Sequence, residues 1–477
     1  MSVVFILIGY TPYGLIIIRS NQNPVIDENN PEAIPQFVSY LKREQYGSSP
    51  IVSGYQFTAY ESRPTSVEQG VAKYKKGEDG KYVVFKHDQE VEYDPAHKSL
   101  FPRMHSRRAD HVQQYKDFMN KNGGYTPGVK PTLSQNIKFL FQVQLGQWYW
   151  RYFGWNFVGR EGQVKGQNTL FPTEVSEQVP LLSQSKARNN YWGLPLILGL
   201  IGLVFHSIKN KKEASIVGLL FFFTGLAILI YLNTPPNEPR ERDYAYVGSF
   251  YAFSIWIGLG CLAIWNAFRT GVLFSSDAMK SGKPVSFVKT STTVALGIAI
   301  LVSSCIPTIM AVEGWDDHDR SGRYFSIDQG KNMLESCAPN AILFTGGDND
   351  TFPLWYLQEV EGFRTDVRIC NLSLFNTDWY INQMKLDAHE SAGLPIKLPS
   401  KLYEEGTNDA VYYLDHNGKE KEDPKMSLRI FMNMVLGYNT QVVRFEDEKP
   451  QVILPSKSLF VPFDINLMEQ KEKERIA

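Results

Sequence analysis

Asn233–Gly248 reads NTPPNEPRERDYAYVG. Glu238, Arg240, Glu241, Arg242 and Asp243 crowd into this one short loop, and a long apolar run lies on each side of it. Charge at that density, held between two membrane-length segments, must face water or bind a polar group. Guanidinium groups hold phosphate oxygens by charge-assisted bonds, so a phosphate-bearing lipid is the first candidate ligand for Arg240 and Arg242. The alternative is a salt-bridged hairpin in which Glu238, Glu241 and Asp243 neutralise the arginines. The two readings are compatible.

Working outward, Tyr191–Ile208, Ser215–Leu232, Ser249–Phe268 and Thr290–Val312 are each about long enough to cross a bilayer core, and Val3–Ile18 is a fifth, shorter run. They concentrate the apolar residues of a chain whose mean hydropathy of -0.25 and 21% charged residues resemble a soluble protein on average. The expected fold class is a polytopic α-helical membrane protein of about five spans with an extracytoplasmic α/β domain. The net charge of -1 says nothing about nucleic acid, but no basic domain occurs, so no nucleic-acid partner is expected.

Short loops set the orientation. Lys209, Lys211 and Lys212 lie in one, and Arg269, Lys280, Lys283 and Lys289 in another. Basic short loops stay cytoplasmic. Strict alternation then puts Asn233–Val247, Ser20–Asn190 and Glu313–Ala477 outside. The expected organisation is a membrane helix over 1–19 and an extracytoplasmic segment over 20–190. Four membrane helices follow over 191–313, then an extracytoplasmic α/β domain over 314–477. No Lys or Arg precedes the first run, and Gly9, Pro12 and Gly14 interrupt it. It reads as an interior helix of a longer protein, with a short signal anchor as the alternative.

Within the outer segments, Pro31–Glu44 reads as a short helix. Lys81–Lys86 is predicted to pair with Glu90–Tyr93 as a hairpin. Phe139–Val158, rich in Trp and Tyr and carrying Arg151, reads as a helix lying at the membrane interface, near 139–158. Beyond Trp315, Ile327–Cys337 is predicted helical, Ala341–Thr345 a strand, Gly346–Asp350 a loop, Phe352–Val360 a helix and Val367–Leu372 a second strand. That order is a βαβ unit with parallel strands. A helix over Thr377–Leu386 and a hairpin turn at His416-Asn417-Gly418 follow. Cys337 and Cys370 read as two buried thiols.

Other residues carry weaker signals. Arg19 ends the first run and is either a functional cation or a snorkelling anchor. Asp316, Asp317 and His318 offer a weak metal site, set against a polar exit from the membrane. Asp348, Asn349 and Asp350 sit at the carboxyl end of a predicted parallel strand, where α/β sheets bind ligands. They read as a structural loop or an acceptor-binding edge ahead of a nucleotide site, because Asx residues also cap helices and make turns. No cofactor motif occurs and metal dependence is not expected.

Four stretches together carry a resemblance: Arg19–Pro31 (RSNQNPVIDENNP), Tyr149–Arg160 (YWRYFGWNFVGR), Pro236–Phe253 (PNEPRERDYAYVGSFYAF) and Phe344–Tyr380. The chain resembles a bacterial membrane family of unknown function related to an animal transmembrane protein O-mannosyltransferase. That family in turn looks like the GT-C glycosyltransferases. The resemblance implies the C-terminal part of a GT-C-like helical bundle in a bacterial inner membrane, with large periplasmic segments. It implies membrane lipid and a polyprenyl-phosphate-linked sugar as partners, and a protein or glycan acceptor. Arg19, Arg240 and Arg242 would face the donor phosphate, supported by Glu238, Glu241, Asp243 and Tyr244. GT-C enzymes carry their essential carboxylate in a first outer loop that precedes the region matched here, so the base is expected outside this chain. The competing reading is a non-enzymatic envelope protein whose outer α/β domain recruits a partner. A transporter fits less well, since the spans hold few polar residues.

Overall fold

The computed structural model describes residues 2–477 except 45–46, 48, 78, 172–183, 274–286, 406–411, 414–424, 436–441, 444–450, 455–457 and 462–477. The chain divides into two units. One comprises Met1–Tyr46, Gln69–Asp88 and Arg323–Ala477, the other Gly47–Glu68 and Gln89–Gly322. The stretch 20–190, read above as a single outer segment, is therefore shared between them.

Among the described residues, four helices are long and apolar enough to cross a membrane: Val3–Ser20, Lys211–Leu232, Asp243–Thr270 and Thr292–His318. Leu194–Lys209 is equally apolar but has 16 residues. At 1.5 Å per residue that is about 24 Å, short of the roughly 30 Å of hydrocarbon in a bilayer. Val3–Ser20 belongs to the first unit and the rest to the second.

In the second unit, local chemistry sets the helix ends. Asn210 separates Leu194–Lys209 from the next helix and caps it through a bond from Glu213 N at 3.3 Å. Gly271, at φ 81°, closes Asp243–Thr270 in the left-handed conformation that glycine adopts without strain. Ser291 caps the final helix by accepting from Val294 N. Gly199 and Gly202 of Leu194–Lys209 face Phe253, Trp256 and Gly260 of Asp243–Thr270 in order, so these two helices run in the same direction. Thr292–His318 starts where that helix ends, with Thr290 N donating to Phe268 O at 2.8 Å. Lys209, Lys211, Lys212, Arg269 and Lys289 consequently gather at one end, and the Asn233–Arg242 loop lies at the other. Lys280 and Lys283 lie outside the described residues.

Leu133–Phe139, Leu140–Trp150 and Arg151–Phe157 run on as one helix with π geometry in its middle. The sequence places this stretch along an interface; the structure packs much of it inward. Trp148, Tyr149, Tyr152, Phe153, Trp155 and Phe157 are buried in one core with Leu229, Tyr246, Phe250, Phe253 and Trp256. Aromatic composition alone does not separate an interfacial helix from a core helix, because large rings suit both places.

In the first unit, Ile342–Thr345 pairs in parallel with Arg368–Asn371 across the helix Asp348–Glu359, the predicted βαβ unit. Leu334, Leu354, Leu357, Val367 and Ile369 form its core. The helix Phe325–Glu335 precedes it and Asp378–Met384 follows. Cys337 and Cys370 are unbridged. The hairpin is longer than the sequence indicated. Ser66–Lys76 pairs with Tyr82–Glu92, so Lys81–Lys86 and Glu90–Glu92 share a strand or its edge instead of facing each other. The strands close where Gly77 N donates to Lys81 O at 2.7 Å and Gly80 has φ 78°. His416–Gly418 lies outside the described residues.

The helix contacts can be tested directly. A side chain at Gly202 would overlap the Trp256 carbonyl, whereas Gly218 has open space. Gly202→Val should cost about 1–3 kcal/mol or more by overpacking, read as a lowered melting temperature in detergent, and Gly218→Val should leave it nearly unchanged.

Candidate functional site

The charged loop starts from a buried hub. Asn233 ends the Lys211–Leu232 span in the left-handed conformation, at φ 47°, and its side chain is fully buried. Its amide donates to Pro50 O at 2.8 Å and Pro102 O at 2.9 Å, and its Oδ1 accepts from Gln144 at 3.0 Å. Gln144 also donates to Thr234 O, and His105 bonds Asn233 O. Beside them Arg103 is wholly buried, donates to Ile230 O and Ile51 O, and lies 4.1 Å from the centre of the Phe101 ring. Burial lowers its pKa to about 10. Arg103 thus satisfies a carbonyl left open at the C-terminal end of the span, where a positive charge is also favoured by the helix dipole.

Two of the loop's acids, Glu241 and Glu238, are then taken up by arginines. Glu241 receives a two-pronged contact from Arg151, at 3.2 and 2.7 Å, together with the Tyr152 hydroxyl and Gly166 N at 2.7 Å. Burial works against the charged carboxylate, but the bonds from Tyr152, Gly166 and Arg151 outweigh it and hold its pKa below the usual range. Arg151 also donates to Gln147 O and Gln167 O and lies against the Tyr152 and Trp155 rings. Glu238 pairs with Arg242 at 2.9 Å. Asn237 accepts from Lys165. Asp243 opens the short turn Asp243–Tyr246, and Tyr244 is exposed.

That leaves Arg240. It is exposed and makes no ion pair with the described residues. The salt-bridge reading therefore holds for Arg242, while Arg240 is the loop cation available to an external anion. Arg19, exposed at the end of Val3–Ser20, belongs to the other unit.

Of the remaining candidates, Asp317, His318 and Asp350 have structural partners. Asp316, Asp317 and His318 occupy the last turn of a helix, where consecutive side chains point about 100° apart, so the three do not converge on one point. Asp317 bonds Asn189 at 3.2 Å and His318 at 2.6 Å. Among the described residues no group of three or more His, Cys, Asp or Glu is arranged to hold a metal ion. Asp348, Asn349 and Asp350 form the first turn of a helix instead of a loop. Asp350 accepts from Gly346 N at 2.7 Å and Gly347 N at 2.9 Å, and these bonds lower its pKa. It fills the anion position at the helix start itself. Behind it Thr345, Thr351 and Asn371 share a buried hydrogen-bond chain. Asp348 and Asn349 remain exposed at that edge.

Arg151 and Tyr152 were not singled out as site residues from sequence. Their signal was a single cation within a dense aromatic run, and its partner lies ninety residues away in the chain.

Residues 326–475 match the family model of TMEM260-associated domain 2, and residues 47–141 match a family of unknown function, DUF8416. TMEM260 is an animal protein, so the first match fits the expected relationship to an animal transmembrane protein. No curated protein and no solved structure matches the chain.

Removing Glu241 strands the Arg151 charge. With side chains only 9% and 16% exposed, Glu241→Ala should cost about 3 kcal/mol, toward the lower end for breaking a buried pair. Because the folded state lowers the pKa of Glu241, its contribution is present above pH 4.5, its ordinary value, and is lost as pH falls. The melting-temperature gap between wild type and Glu241→Gln should therefore narrow in acid. In the other unit Asp350→Ala should cost about 1 kcal/mol as a lost cap, and Asp348→Ala close to nothing, by the same measurement.

Proposed function

We propose that this chain is part of a membrane glycosyltransferase of the protein O-mannosyltransferase type, working at the outer face of a bacterial inner membrane. It takes a sugar from a polyprenyl phosphate and passes it to a hydroxyl of a protein or glycan. The observation that carries this reading is Arg240: an exposed cation without an ion-pair partner among the described residues, in a loop whose other charges are largely paired. The loop lies opposite the end where Lys209, Lys211, Lys212, Arg269 and Lys289 gather, which by the bias of basic loops is the cytoplasmic end. The resemblance and the match to TMEM260-associated domain 2 support the same class.

In the reaction the bond from the sugar's anomeric carbon to the phosphate oxygen breaks as the acceptor oxygen bonds to that carbon. The acceptor's proton passes to a base. Negative charge grows on the departing lipid phosphate, and Arg240 is placed to meet it. Arg242 contributes from its pair with Glu238, and Arg151 fixes the loop by holding Glu241. Glu241, whose bonds hold it below the usual carboxylate range, is a poor base in that state, and Glu238 is engaged by Arg242, so another group removes the proton. No metal is invoked.

In full-length protein supplied with a polyprenyl-phosphate sugar, Arg240→Ala should lower transfer by about a hundredfold, the scale for losing one charge-stabilising group, while the melting temperature stays within error. Unchanged transfer would remove the loop from the donor site. Failure of the wild-type full-length protein to transfer any such sugar would favour the envelope-anchor reading instead.

A further inference from the structure

Large exposed aromatic side chains gather at the loop end of the helical unit. Trp192 stands just before Leu194–Lys209, and Tyr231 is the penultimate residue of Lys211–Leu232. Tyr244 and Tyr251 lie in the first turns of Asp243–Thr270, and Trp315 in the last turn of Thr292–His318. Their exposure runs from 53% for Trp192 to 73% for Trp315. Cross-links tie these helices together near the loop end, with Tyr251 about 10 Å farther along its helix than Tyr244. Asn190 N donates to Glu313 at 2.9 Å and Asn189 bonds Asp317, joining the start of the first helix to the end of the last. Thr224 and Gly225 lie beside Gly248 and Ser249, joining the other two.

Trp and Tyr combine an apolar ring with a polar N–H or O–H, the composition that suits the boundary between hydrocarbon and headgroup. The opposite end has a different chemistry. There Arg269 lies over the Trp265 ring at 4.6 Å and Lys209 near the Phe205 ring at 5.9 Å, as cations do when they reach from an apolar stem toward water. From Tyr244 to Arg269 the helix rises about 38 Å, close to the roughly 40–45 Å of a bilayer with its interfaces.

We propose that this aromatic rim seats the loop end of the helical unit in the headgroup layer of a phospholipid bilayer, with Arg240 at the depth of the lipid phosphates. The loop then meets phosphate carried by a membrane lipid ahead of phosphate free in solution. Only the identification of that lipid with the sugar donor rests on the transferase reading; the rim stands without it.

The test uses the full chain in vesicles of phosphatidylethanolamine and phosphatidylglycerol. The photoreactive residue p-benzoylphenylalanine replaces Tyr231, Arg240, Tyr251, Trp315 or, as a control, Val129, one at a time. All five positions are exposed, so the fold should persist, and four independent sites cover the failure of any one. The expected result is phospholipid adducts at 231, 251 and 315, an adduct at the glycerol or headgroup region for 240, and none at 129. Adducts only to protein at the rim positions would overturn the proposal in favour of a protein-covered surface. Adducts at 240 located at mid-chain, or absent while the rim is labelled, would overturn the depth assigned to Arg240. Vesicles with added inorganic phosphate complete the test, with Arg240 intact and the photoreactive residue at the exposed Tyr244 of the same loop: a loss of its lipid adduct would show that free phosphate competes there, against the proposal. These outcomes do not depend on sugar transfer, so failure of the rim and failure of the transferase reading are separable.

Discussion

The carboxylate of Glu241 ties the charged loop to the helical unit. Charge beside a membrane-length helix is costly unless each group is matched, and here one carboxylate collects a guanidinium, a phenol and a main-chain N–H. The partners come from two other parts of the unit: Arg151 and Tyr152 from the long aromatic helix, Gly166 from the segment after it. The contact therefore fixes three stretches at once. It also orients Arg151, whose guanidinium is further held by two carbonyls and two aromatic rings. A side chain so fully engaged has few donors left for a ligand, which makes it a positioning residue for the loop.

The availability of Arg240 follows from that arrangement. Three acids and two arginines in one loop could neutralise one another in several ways. Because Arg151 claims Glu241 from outside the loop, Glu238 lies four residues before Arg242 at pairing distance, and Asp243 makes no ion pair with the described residues, Arg240 is left exposed. The structure thus separates two cations that the sequence presents as equivalent. One helps hold the loop's shape, and the other carries the charge to its surface.

Much of this was legible in the sequence, for definable reasons. Apolar runs of bilayer length are a strong local signal, and four of the five appear as helices that meet the membrane criteria, with Leu194–Lys209 falling short in length. The βαβ unit was legible because strand, helix and strand each carry their own pattern over a short separation. Three features were read differently, one because it depends on distant pairing and two because competing local signals were weighed wrongly. Asp350 looks like a ligand-edge acid until its bonds to Gly346 N and Gly347 N make it a cap. The aromatic helix looks interfacial until Phe250, Phe253 and Trp256 are seen to cover it. The hairpin register shifted because a short apolar run was weighed above Gly77 and Gly80, where the strands close.

Arg103 and Arg368 show what the protein does with arginines it does not expose. Arg103 is fully buried and donates to Ile230 O and Ile51 O; Arg368, 5% exposed, donates to Gln383 O, Met384 O and Leu386 O at the end of a helix. In both, desolvation lowers the pKa and main-chain carbonyls supply the compensating partners. Both arginines therefore close helix ends whose carbonyls lack intrahelical partners. Arg240 departs from this pattern: it follows Pro239, which fixes the backbone dihedral φ at that point and lacks an N–H of its own, and it lies in a loop instead of at a helix terminus. A cation kept out of both the capping role and the ion-pair network is the one whose charge an incoming anion meets with least competition.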